Sequence, residues 1–187
     1  MRSIAFSYLL ASSILTDNAL LAVNSPLLED ESILSATQHH KLQSKKRIIS
    51  SPEEISQIRN DLREATLTDS NIGDWFEKAN ALRHAFNNKD AVNLAEAIYQ
   101  KANQSDLPDH EKAVSYRNQG KIFLRRGAIP EAIERLDVSL ELEPKNSVTL
   151  LYLGNLYAQR TSEQGKGIGF LRTVSEDAST PDKYKRV

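Results

Sequence analysis

Cysteine is absent from all 187 residues, which removes a disulfide framework, thiol catalysis and cysteine-ligated metal together. That absence fits the periplasm and the cytosol equally. Charge of one sign is also lacking: 24 Lys and Arg stand against 25 Asp and Glu, for a net charge of −1. No global field therefore favours nucleic acid or an acidic membrane surface. Aromatic residues make up 6% of the chain, and no stretch alternates apolar and polar residues in the way of a half-buried strand, so essentially no sheet is expected. Long apolar runs are missing too. The one from Ile4 to Leu15 is too short to span a bilayer, and Asp17 blocks its extension towards Val23.

What is present is helical material. The hydrophobic fraction of 40% is rich in Ala and Leu, which suits helices. Within residues 113–146, AVSYRNQGKIFLRRGAIPEAIERLDVSLELEPKN, the residues Tyr116, Gly120 and Phe123 recur at helical spacing on one face. Gly127 then interrupts, and Pro130 and Glu131 open a second helix whose face is Ala132, Ile133, Leu136 and Leu140 before Pro144 ends it. Gly120 and Ala132 are small, as two closely crossing antiparallel helices require. The positions of Tyr116, Gly120, Phe123, Ala132, Leu136 and Pro144 in a unit of 34 residues resemble a tetratricopeptide repeat.

Such a hairpin cannot bury its apolar face alone, so flanking copies are expected. Forward, Leu150, Gly154, Tyr157, Gly167, Ile168, Phe170, Leu171 and Val174 fall in matching places if the turn TSEQGK carries one extra residue. Backward, Trp75, Ala79, Leu82, Ala91, Ala95 and Ile98 repeat the offsets across two helices separated by Asn87 and Asn88. There the proline comes late, at Pro108, so the connection QSDLPD reads as longer than the family norm. The expected architecture is all-α, a right-handed α-α superhelix of about three repeats over residues 72–176.

Outside the repeats, Arg2 followed by the apolar run and then Thr16, Asp17 and Asn18 describes a secretory signal peptide over residues 1–22, with Ala22 as the cleavage point. The alternative is an amphipathic N-terminal helix in a cytosolic protein. Residues 23–50 are polar and read as a linker, with acids Glu29, Asp30 and Glu31 giving way to Lys45, Lys46 and Arg47. Ser51-Pro52-Glu53-Glu54 is a strong helix start, and Ile55, Ile58 and Leu62 give that helix an apolar face, so residues 51–71 are expected to cap the first repeat. Residues 177–187 form a polar tail.

Nothing in the sequence points to catalysis, a cofactor or a metal. His39 and His40 are adjacent and splay about 100° apart on a helix; His84 and His110 read as isolated surface or groove residues. Glu131, Glu134, Asp137 and Glu141 form a solvated helix face. Gly165-Lys166-Gly167-Ile168-Gly169 meets neither the dinucleotide nor the P-loop spacing, and Lys45, Lys46 and Arg47 form too short a basic run for nucleic acid.

The family resemblance implies a non-enzymatic adaptor that binds a partner protein on the concave surface formed by the first helix of each repeat. The residues facing that surface would be Asn80 and Arg83, then Arg117, Lys121 and Arg125, then Tyr152 and Asn155, making a cationic trough for an acidic or extended peptide. The arrangement is similar in kind to carboxylate-clamp repeats of chaperone adaptors, without matching that subfamily's positions throughout. In an exported protein this implies a periplasmic or secreted adaptor for envelope or secretion-machinery assembly; in a cytosolic one, a co-chaperone-like or regulatory scaffold. Phe170, Leu171 and Val174 on the last helix, with no polar cap after it, raise a further expectation of self-association.

Overall fold

The computed structural model describes residues 48–177 and residue 180. The segment read as a signal peptide, the expected linker up to residue 47 and the expected polar tail after Asp177, apart from Thr180, lie outside the described residues. Among the described residues there are seven α-helices and no strand: α1 (Pro52–Glu64), α2 (Ile72–Arg83), α3 (Lys89–Gln104), α4 (Asp109–Arg125), α5 (Ile129–Leu142), α6 (Ser147–Arg160) and α7 (Gln164–Glu176). The chain is all-α in this region, as its composition implies. No helix among the described residues is long and apolar enough to cross a membrane.

Local chemistry sets the helix starts. Ser51 Oγ accepts the Glu54 N–H at 3.2 Å, Pro52 fills the first helical position, and Glu53 and Glu54 face the positive end of the dipole. Asn88 and Asn146 cap α3 and α6 in the same way, accepting from Ala91 N and Thr149 N, each at 3.1 Å. Gly127, at φ 74°, supplies the left-handed residue that ends α4. The late Pro108 has a plain cause: α3 runs on to Gln104, so the connection is residues 105–108, the same length as 143–146. The extra residues are helical, not loop.

Packing follows chain order. The helices pair as α2 with α3, α4 with α5 and α6 with α7, and each pair packs on the next through α3 with α4 and α5 with α6. Short connections make each pair antiparallel. The predicted inward positions are buried across all three pairs, among them Ala79, Leu82, Ala95 and Ile98 in the first, Ala132 and Leu136 in the second, and Leu150 and Val174 in the third. Tyr116 and Phe123 are only half-buried.

The crossings are close. A methyl on Gly120 would lie 2.8 Å from Leu136 Cγ, and one on Gly154 would lie 2.7 Å from Leu171. One on Gly167 would strike the Ala158 backbone nitrogen. Ser139 occupies the place held by Ile98 and Val174, and its hydroxyl donates to Ala113 O at 2.9 Å and contacts Thr149 Oγ1 at 3.2 Å. A buried polar group is tolerated here because it is satisfied.

Helix α1 buries Ile55, Ile58 and Leu62 and packs on α3. Lys101 Nζ reaches from α3 to the Leu62 carbonyl at 2.5 Å, satisfying an acceptor that the helix end leaves unpaired. Ile49, near the end of the segment read as linker, is buried, and its N–H donates to Ala81 O at 3.2 Å. Order therefore begins before Ser51. Phe170, Leu171 and Val174, expected to leave an apolar end, pack with Leu140, Leu150 and Leu151; the exposed apolar residue of α7 is Ile168.

Candidate functional site

Arg117, Lys121 and Arg125 lie four residues apart on α4, so helical geometry places them on one face. Two links tie that face to the end of α2 and the turn that follows it. The Arg125 guanidinium stacks over the Phe86 ring at 3.6 Å, and its Nη1 donates to the Arg83 carbonyl at 3.4 Å. Arg83 in turn donates from Nε to Asn80 Oδ1 at 2.9 Å, and Tyr99 donates its hydroxyl to the same oxygen at 2.8 Å. On the other side, Lys121 Nζ stands 5.3 Å from the centre of the Tyr152 ring on α6.

The structure thus joins Asn80, Arg83 and Arg125 in one set of contacts and Lys121 with Tyr152 in another, with Arg117, Lys121 and Arg125 sharing one face of α4. Asn155 is not joined to them: its Nδ2 donates to Leu151 O at 3.0 Å within its own helix. The positions differ from a row of solvent-facing charges. Arg83 is 2% exposed, Lys121 6% and Arg117 9%, whereas Arg125 is half-buried. Phe86, 49% exposed, is a member that periodicity alone does not reveal, because it sits in the turn after α2. Chemically, Arg125 and Phe86 are the members of this set that reach solvent, and a guanidinium beside an aromatic face suits a carboxylate.

The glycine-rich stretch at 165–169 is part of α7 and forms no phosphate cradle. Lys166 Nζ donates to the Tyr157 hydroxyl at 2.7 Å and lies 4.0 Å above that ring; Tyr157 donates to Asp137 Oδ2 at 3.3 Å. Asp137 is therefore drawn inward, while Glu131, Glu134 and Glu141 are exposed as a solvated face should be. Burial holds the Asp137 carboxyl above its ordinary range against the lowering effect of Lys166. The hydrogen bond to Tyr157 raises Lys166.

The histidines also separate. His84 meets Phe86 edge-on at 5.6 Å. His110 is not isolated: its Nε2 lies 3.5 Å from Glu111 Oε1, and Asp69, from the α1–α2 connection, joins them. No sequence signal links Asp69 to His110, since the fold alone closes the distance. On the opposite side of α4, a cavity of about 240 Å³ is lined by Glu96, Gln100, Tyr116, Gln119 and Phe123 among others. Its Gln119 Oε1 accepts from Asn103 Nδ2 at 2.8 Å.

No protein-family model matches this chain, and no curated protein matches it.

Proposed function

We propose that this protein is a non-enzymatic adaptor of tetratricopeptide type, whose three hairpins stack as a right-handed superhelix and present α2, α4 and α6 on the concave side. Its ligand is an acidic, extended segment of another protein. The observation that carries this reading is the pairing of α4 cations with aromatic rings, Arg125 with Phe86 and Lys121 with Tyr152, beside the Arg83 backbone carbonyl that Arg125 also reaches. Carboxylates of a peptide running across the helices would meet charge-assisted donors, and the rings would cover its apolar side chains. The repeat spacing in the sequence and the packing of helix pairs in chain order support the same reading.

The basic and apolar residues at the N-terminus favour an exported adaptor working in envelope or secretion-machinery assembly; sequencing the N-terminus of the purified protein tests this directly. A mature chain that still begins at Met1 favours the cytosolic co-chaperone-like scaffold instead.

The binding assignment is tested with a fluorescent peptide rich in Asp and Glu, titrated by anisotropy against wild type and the pair Lys121→Met with Arg125→Gln. Charge-assisted hydrogen bonds contribute about 1.5–3 kcal/mol each, so affinity should fall by roughly a hundredfold or more. The far-ultraviolet circular dichroism should not change. Equal affinity in the two proteins refutes the site.

A further inference from the structure

Three groups that the adaptor reading does not use meet at the edge where the connections between hairpins lie. Asp69 comes from the α1–α2 connection, and His110 and Glu111 from the first turn of α4. One ligand atom from each lies within 4.8 Å of the other two. We propose that Asp69, His110 and Glu111 bind a divalent transition-metal ion, with zinc as the best match to one imidazole nitrogen and two carboxylate oxygens.

The donor set decides the metal class. An imidazole suits Zn²⁺ and its neighbours in the first row, whereas Mg²⁺ and Ca²⁺ take oxygen ligands. Zinc–ligand bonds of about 2.0–2.2 Å call for donors closer together than the present spread. Asp69 and His110 are exposed, and exposed side chains change rotamer readily, which the proposed site requires. Exposure also leaves room for water to complete a coordination sphere that three protein ligands begin.

Electrostatics favours a cation at this point. Glu111 is half-buried, whereas Asp69 and His110 are exposed. Two carboxylates, Asp69 from the α1–α2 connection and Glu111 from the first turn of α4, thus flank one imidazole, and a bound dication offsets their repulsion. The helix N-terminus at His110 does not explain the grouping, because Asp69 belongs to another segment. The consequence is mechanical. The ion would fasten the connection after the capping helix to the start of α4, adding a link between elements that are not neighbours in the chain, and folding stability would rise with metal concentration.

The experiment uses the full chain in chelator-free buffer near neutral pH, titrated with ZnCl₂ by calorimetry and followed by thermal unfolding. Wild type should bind Zn²⁺ and melt at a higher temperature as zinc increases. His110→Ala and Asp69→Asn should each weaken binding by about tenfold or more and remove the thermal shift while keeping the helical circular dichroism. The double variant His39→Ala with His40→Ala separates this site from the chain's other paired histidines, and it should bind as wild type does. Binding that survives His110→Ala unchanged overturns the proposal. So does binding lost in the His39 and His40 variant, or no heat and no thermal shift in wild type at roughly millimolar zinc, where affinity would be below −4.1 kcal/mol in magnitude.

Discussion

A methyl group added at Gly167 has nowhere to go, because it meets the backbone of Ala158 and lies 2.7 Å from the Gly154 carbonyl oxygen. At Gly169, two positions along the same helix, nothing lies within 4 Å. Alanine should therefore act in opposite directions. Gly167→Ala should destabilise by about 1–3 kcal/mol through overpacking, and Gly169→Ala should stabilise by about 0.5–1 kcal/mol through helix propensity. Urea unfolding of the two variants checks both. The triad Asp137, Tyr157 and Lys166 gives a prediction in pH. A carboxyl held above its ordinary range binds its proton more tightly when folded, so its contribution is fully present at acidic pH and lost as pH rises through the raised value. Asp137→Asn should thus gain stability relative to wild type from the carboxylate range upward, where the wild-type group ionises. Lys166 has its raised value at the alkaline end, so its contribution holds through neutral pH and disappears only as pH climbs through that value. Lys166→Met should lose stability at pH 7 and converge on wild type in strong alkali.

Helix ends were the most legible part of the sequence, because the signals are chemical and local. Ser51, expected as a cap, accepts the Glu54 N–H, and Gly127, expected to break the helix, has the positive φ that a helix-ending glycine provides; the caps at Asn88 and Asn146 were not anticipated. The inward faces were legible for the same reason: a spacing of three or four residues has one geometric meaning on a helix. What local reasoning missed was length, where α3 continues to Gln104 in place of a long connection, and the inward turn of Asp137, which depends on Tyr157 from another helix. The apolar side chains of α7 likewise found partners in Leu150 and Leu151. Helix α1 carries its own prediction. Ile58 is 5% exposed in the shared core with α3, and Ile58→Ala should cost about 2–5 kcal/mol, read as a lowered urea midpoint with an unchanged helical spectrum.

At the scale of the molecule, stability rests on each hairpin covering the face of the next, so the same inward residues recur while the outward ones differ. The cation row on α4 was readable from spacing alone. Its links to Phe86 and to the Arg83 carbonyl were not, since they arise where α2 and α4 come together. The depth of Arg83, Arg117 and Lys121 could not be read from one helix either, because burial of a long side chain is set by its surroundings. The same holds for Asp69 beside His110. The most direct test of the account is a map of backbone amide chemical shifts as an acidic peptide is titrated into the isotopically labelled protein. The account predicts that the shifting residues cluster on α2, α4 and α6, around Arg83, Lys121, Arg125 and Tyr152. Shifts confined to α3, α5 and α7, or none at saturating peptide, would contradict it.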